Sequence, residues 1–301
     1  MVLRFFLFAG VFLFVSCADT EFNNPYDPES PKYRLSSSSS VAESSSSAQS
    51  SSSAVVYSSS SKPGSSSVSS SGSNTVCTAN NNTETHYCSN GTMMKKYGSV
   101  TDDDGQSYKT VEIGEQIWMA ENLNYNVSGS KCYAEGISGV SDNSIAKNCA
   151  TYGRLYDWAT AMDIDAEFNS DWWDWDEINT KHRGICPEDW HIPNEDEWNT
   201  LFNFVGNSSS TGKYLKATSG WNDYGRKSGN GEDTFGFAAL PGGVRKSSGG
   251  DFYSVGDDGY WWSSAEFSAS IAYYRSMSYY EDVYRGNYSK SGLQSVRCLQ
   301  D

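Results

Sequence analysis

At 301 residues with a formal charge of -15, the chain is long enough for one well-buried domain once the serine-dense stretch before residue 76, too polar to build a core, is set aside. The charge argues against a nucleic-acid backbone or an anionic membrane face as partner, since either repels the domain at long range, and it leaves neutral ligands and cations open. Twenty tyrosines, ten tryptophans, thirteen phenylalanines and 27 glycines, set against few leucines, favour short strands and long loops over a helical bundle.

Residues 1–16 read as a secretory signal, with Arg4 as the positive region and Phe5 to Val15 as the apolar run. In Leu13-Phe14-Val15-Ser16-Cys17 a small residue precedes the cysteine, as at bacterial lipoprotein processing sites, although Phe14 departs from the usual aliphatic residue. Cys17 is then the lipidated first mature residue and the membrane its partner through that lipid; free secretion after ordinary cleavage is the alternative. Ala18 rather than Asp favours sorting to the outer membrane, so the expected location is the cell envelope at its surface. Residues 17–75 form the lipid-anchored stalk. From Ser36 to Ser73 it is mostly serine, and a coil of that length reaches roughly 35 Å.

Residues 76–301 form the single disulfide-containing domain. Besides Cys17 the chain carries Cys77, Cys88, Cys132, Cys149, Cys186 and Cys298. Six cysteines allow fifteen pairings and the sequence does not choose among them. The preferred order is Cys77 with Cys88, Cys132 with Cys149, and Cys186 with Cys298. No close CxxC pair is present and the three histidines are scattered, so neither a metal nor a cofactor is expected.

Along the domain, Gln106 to Trp118 predicts two short strands joined by a turn at Gly114. The acids of Asp102-Asp-Asp-Gly105 are consecutive rather than alternating, which fits a tight turn better than a calcium loop. Tyr152 to Tyr156 predicts a strand entering a short helix at Asp157, with Trp158 and Met162 on one face. Asn194 with Glu197 forms a capping box before a helix whose stripe is Trp198, Leu201, Phe202 and Val205. Glycine and aromatic residues after Gly220 predict strands with tight turns, the last over Ser295 to Leu299.

The candidate ligand-binding residues are Trp172, Trp173, Asp174, Trp175 and Asp176, an acidic aromatic segment read as a loop whose rings can stack on sugars while the acids accept hydroxyls. The competing reading is that these rings cover the core. Trp221-Asn-Asp223, with Asn230 and Asp233, offers too few oxygens for calcium. His191 has no nucleophile motif beside it and is expected to be structural, and Glu195, Asp196 and Glu197 suit a helix's first turn. No catalytic residue is assigned.

The segments Asp104-Gly-Gln-Ser-Tyr-Lys-Thr-Val111, Trp118-Met-Ala-Glu-Asn-Leu-Asn-Tyr125, Tyr152-Gly-Arg-Leu-Tyr156, Cys186-Pro-Glu-Asp-Trp-His-Ile-Pro193 and Ser295-Val-Arg-Cys298 together closely resemble the Fibrobacter succinogenes major paralogous domain, from about residue 99 to 301. More loosely, Trp190 to Trp198 and the closing Val296-Arg-Cys298 resemble the formylglycine-generating-enzyme and C-type-lectin-like folds. The resemblance implies an α+β domain of that kind with few short helices, short antiparallel strands and long loops, and it implies no reaction. The expected function is a non-enzymatic surface lipoprotein that binds or adheres, with plant-type polysaccharide as partner. The alternatives are a structural or protein-binding envelope module, and an enzyme related to formylglycine generators or glycan hydrolases.

Overall fold

The structure, a computed structural model, describes residues 86–89, 92–173 and 181–301, with side chains from Lys95 onward. Among the described residues it is a mixed α+β domain with antiparallel sheets, few short helices and two disulfides. The strands β1 (His86–Ser89) and β2 (Thr92–Lys95) pair with each other. Next come β3 (Gly98–Thr101), β4 (Ser107–Ile113) and β5 (Gln116–Met119), a meander in which Tyr108, Thr110, Val111 and Ile113 are buried. The turn between β4 and β5 uses Gly114 at φ 66°, where a side chain would be strained.

The chain's end completes this sheet. β12 (Leu299–Gln300) lies between β5 and β6 (Trp190–His191), giving the order β3-β4-β5-β12-β6. Just before β12, Cys298 is bonded to Cys186, and Cys132 is bonded to Cys149. These are two of the three expected pairs; Cys77 and the Cys88 side chain lie outside the described residues. The closing strand is shorter than expected: Ser295 makes an isolated parallel bridge to Trp261, and only Leu299–Gln300 forms a ladder.

A second sheet of order β11-β10-β9 is built from β9 (Gly259–Ser268), β10 (Ile271–Met277) and β11 (Val283–Ser289), and the short pair β7 (Val244–Arg245) and β8 (Phe252–Tyr253) stands beside it. Successive residues of a strand face opposite ways. The neighbours Trp118 and Met119, and likewise Trp261 and Trp262, therefore enter two separate cores. One core collects Met119, Tyr156, Trp158, Trp262 and Cys298; the other packs Trp118 against Trp198 at 4.7 Å, the rings tilted by 42°, and sets Phe237 at 5.7 Å from Trp118.

Helix α1 (Asp142–Tyr152) is capped by the Ser141 side chain and ends at Gly153, φ 75°, where a Cβ would meet the Leu123 carbonyl at 2.6 Å. The expected strand at Tyr152 to Tyr156 is thus the end of a helix followed by bridges at Leu155 and Tyr156. The short helix expected from Asp157 is α2 (Trp158–Met162), with the Asp157 side chain as its cap, and a 3-10 turn follows over Ala166–Asn169. The predicted capping box opens α3 (Glu195–Val205), whose buried residues are Trp198, Leu201, Phe202 and Val205, and a last short helix α4 covers Thr211–Leu215.

Candidate functional site

Trp172 is 51% exposed. Its neighbours explain how a large ring is held at the surface. Lys290, at the end of β11, is fully buried with Glu266 of β9 and forms an ion pair with it. The same ammonium donates to the carbonyls of Phe168 at 2.9 Å, Asp171 at 3.0 Å and Ala269 at 2.9 Å, and lies 4.5 Å from the centre of the Trp158 ring. One cation therefore ties the segment before Trp172 to the β9–β10 turn. Burial lowers the Lys290 pKa, and the Glu266 carboxylate opposes that shift.

Trp173 is partly buried against the first core; its backbone N–H donates to Glu266 at 3.2 Å and its ring meets His182 edge-on at 4.5 Å. The two competing readings of the tryptophans thus divide between neighbours: Trp173 covers the core and Trp172 faces solvent. Asp174, Trp175 and Asp176 lie outside the described residues.

Glu266 is followed by Phe267, 49% exposed, whose ring meets Tyr273 of β10 at 5.5 Å. The Arg285 guanidinium sits 3.8 Å over the Tyr273 ring and is bonded to Glu195, at the start of α3. Phe267 and Tyr273 thus set aromatic rings beside the Arg285 cation on the second sheet, and Lys290 ties the segment that carries Trp172 to the β9–β10 turn of the same sheet. Phe267, Tyr273 and Arg285 were not singled out in the sequence. Their signal was strand alternation, because Tyr274 points inward and Tyr273 outward.

The other sequence candidates hold structure. Trp221 is buried and donates its indole N–H to the Ala239 carbonyl at 3.0 Å, while Asn222 donates to Asp257 at 3.0 Å. Asn230 accepts the Trp221 backbone N–H, and Asp233 pairs with Lys95 and accepts from the Ala238 N–H. These oxygens are committed to loop closure instead of converging. His191 is fully buried between two carboxylates, Nδ1 at 2.7 Å from Asp301 and Nε2 at 2.9 Å from Glu197. Burial alone would raise the Glu197 pKa, but the His191 contact and the Asn194 backbone N–H outweigh it and hold the carboxyl below its usual value. Asp102 builds a tight turn, accepting from the Asp104 and Gln106 backbone N–H groups and from the Tyr108 hydroxyl at 2.6 Å.

Fold and site together define a disulfide-braced α+β domain that presents aromatic rings beside the β9–β10 turn. Residues 111–300 match the family model of the Fibrobacter succinogenes major domain, and the chain belongs to that family. No curated protein and no solved structure matches the chain.

Proposed function

We propose that the chain is a cell-surface lipoprotein, anchored through Cys17 and carried on its serine-rich stalk, whose domain binds polysaccharide without transforming it. The observation that carries this reading is Trp172, half exposed on a segment pinned by a buried lysine. A ring carried on a segment already fixed in place costs less ordering entropy when a sugar stacks on it. Phe267 and Tyr273 add aromatic surface on the second sheet, and the half-exposed Arg285 guanidinium supplies donors for hydroxyls.

The same reading includes a C-type-lectin-like or formylglycine-generating-enzyme-like architecture. Its support is that β12 returns to pair with β5 in one sheet and that Cys186–Cys298 closes the intervening chain. An enzymatic alternative of the formylglycine type requires free reactive thiols. Cys132, Cys149, Cys186 and Cys298 are consumed in disulfides, which favours the binding reading.

The test is retention of the full chain on a panel of plant and microbial polysaccharides. Saturable retention is expected on at least one, with Trp172→Ala about tenfold weaker, a loss of about 1.4 kcal/mol, and Trp172→Phe intermediate. Failure across the panel together with capture of a specific envelope protein would replace this reading with a protein-binding one.

A further inference from the structure

At the end of β10 away from the β9–β10 turn, two loops bring three tyrosines together. Tyr279 and Tyr280 lie in the loop between β10 and β11, and Tyr224, 58% exposed, lies in the loop after Trp221. The Tyr224 and Tyr279 rings are stacked at 4.1 Å and 12°, and the Tyr280 ring lies 4.3 Å from that of Tyr279, tilted by 39°. The Tyr280 and Tyr224 hydroxyls are both within hydrogen-bonding reach of the Tyr279 hydroxyl. Near-parallel rings whose hydroxyls meet are stacked head to head, so the Cε carbons beside the hydroxyls of Tyr224 and Tyr279 face one another. By contrast, Tyr260 meets Tyr274 edge-on at 5.6 Å, and both of those rings are buried.

The backbone sets this pair in place. The buried Lys216 ammonium donates to the Gly229 carbonyl of one loop at 2.7 Å and to the Ser278 and Tyr280 carbonyls of the other at 2.7 and 2.9 Å. The Asn222 backbone N–H donates to the Gly256 carbonyl at 2.7 Å and its side chain to Asp257 at 3.0 Å. Tyr224 then opens a tight turn, exchanging two backbone hydrogen bonds with Lys227, at 2.9 and 3.1 Å, across Gly225 at φ 64°. Two groups held together in this way meet without a search, which makes a reaction between them effectively unimolecular.

We propose that Tyr224 and Tyr279 form an oxidative cross-linking site, joined by a carbon–carbon bond between their Cε atoms into a dityrosine that locks the two loops together. The oxidant is hydrogen peroxide acting through a one-electron oxidant of the haem peroxidase class. Each phenol gives up one electron and one proton, and the resulting phenoxyl radicals carry unpaired spin on Cε. The facing Cε atoms bond; each then releases its hydrogen as a proton while its oxygen takes one up, and both rings regain aromaticity. In sum the protein loses two hydrogens and the peroxide takes them up as two waters. Burial, and then the Tyr280 and Tyr224 hydroxyls, raise the Tyr279 pKa, so that this ring enters the reaction as the neutral phenol. The Cys132–Cys149 and Cys186–Cys298 disulfides suit the domain to an oxidising compartment, where such an oxidant acts. The site shares no residue with the aromatic surface around Trp172 and does not depend on what that surface binds.

The test treats the full chain, in dilute solution, with hydrogen peroxide and a trace of a haem peroxidase. The monomer is expected to gain dityrosine fluorescence and to lose the mass of two hydrogens, proteolysis to return the Tyr224 peptide joined to the Tyr279 peptide, and the unfolding midpoint to rise because the cross-link constrains the unfolded chain. Tyr224→Phe and Tyr279→Phe, which keep both rings, are each expected to cut the monomer's fluorescence about tenfold or more, since the remaining tyrosines lack a pre-positioned partner. Tyr280→Phe and Tyr253→Phe, the latter removing a hydroxyl from a ring that is 40% exposed, are expected to react like the wild type. In the urea-unfolded chain the preference for Tyr224 with Tyr279 is expected to vanish. Cross-links spread over other tyrosines of the folded chain, cross-links found only between chains, monomer fluorescence that survives Tyr224→Phe, no fluorescence from the folded wild type, or the same preference after unfolding each overturns the proposal.

Discussion

Lys290 shows how much of the surface depends on one buried residue. Its ammonium satisfies three backbone carbonyls and one carboxylate. Lys290→Met leaves Glu266 as an uncompensated buried charge, and the expected loss of stability is about 3–5 kcal/mol. Chemical denaturation measures this directly. Trp172→Ala should cost under about 1 kcal/mol, because the ring is half exposed. That contrast separates a residue that builds the surface from one that uses it. Lysines such as Lys290 and Lys216 look like ordinary solvated charges in the sequence. Only the fold shows that Lys216 donates to the carbonyls of Gly229, Ser278 and Tyr280, and that burial lowers its pKa to about 8.

At the level of elements, local signals were legible where a short stretch determined its own structure. The β4–β5 hairpin with Gly114 and the Asn194–Glu197 capping box are both such stretches. Asn194→Ala is expected to cost about 1–2 kcal/mol, since two backbone N–H groups lose their acceptor. Helix α1 escaped because its pattern is weak: Cys149 is its only buried residue, and the helix is held by the disulfide instead of an apolar stripe. A polar cleft lined by Gln106, Asn124, Glu135 and Asp142 escaped for another reason: these residues come from four separate segments, and no spacing announces that meeting. The motifs behind the family resemblance are also joined in space. Asn122 accepts from Arg297 at 2.7 Å and from the Trp261 indole at 2.8 Å, and donates to the Tyr152 carbonyl at 2.9 Å. Reading the motifs one at a time could not show that one asparagine links them.

For the whole molecule, the disulfides and the buried tyrosines set the limits of stability. Cys186–Cys298 spans 112 residues and Cys132–Cys149 spans 17. In the loop-entropy model their removal costs about 5 and about 3 kcal/mol respectively. Substituting each pair by alanine and comparing unfolding midpoints tests that order. The pH dependence follows from the shifted groups. Burial lowers Lys216 to about 8 from 10.5, so the unfolded chain holds that proton over a range in which the folded chain has lost it, and stability rises with pH through that window. Burial raises Tyr156, Tyr260 and Tyr274 above 10, so the folded chain keeps protons that the unfolded chain loses, and stability falls as pH rises beyond 10. Stability measured across pH 7 to 12 should therefore climb above pH 8 and collapse above 10. The climb should be smaller in Lys216→Met, and the tyrosinate absorbance of the buried tyrosines should appear only with unfolding.

The central claim is that a rigidly held aromatic surface binds polysaccharide, and the most direct measurement is retention of the full chain on immobilised glycans with Trp172 intact and replaced by alanine. The account predicts saturable retention that weakens about tenfold in the variant, at nearly unchanged melting temperature. Retention identical in both proteins, or absent from every glycan tested, would contradict it.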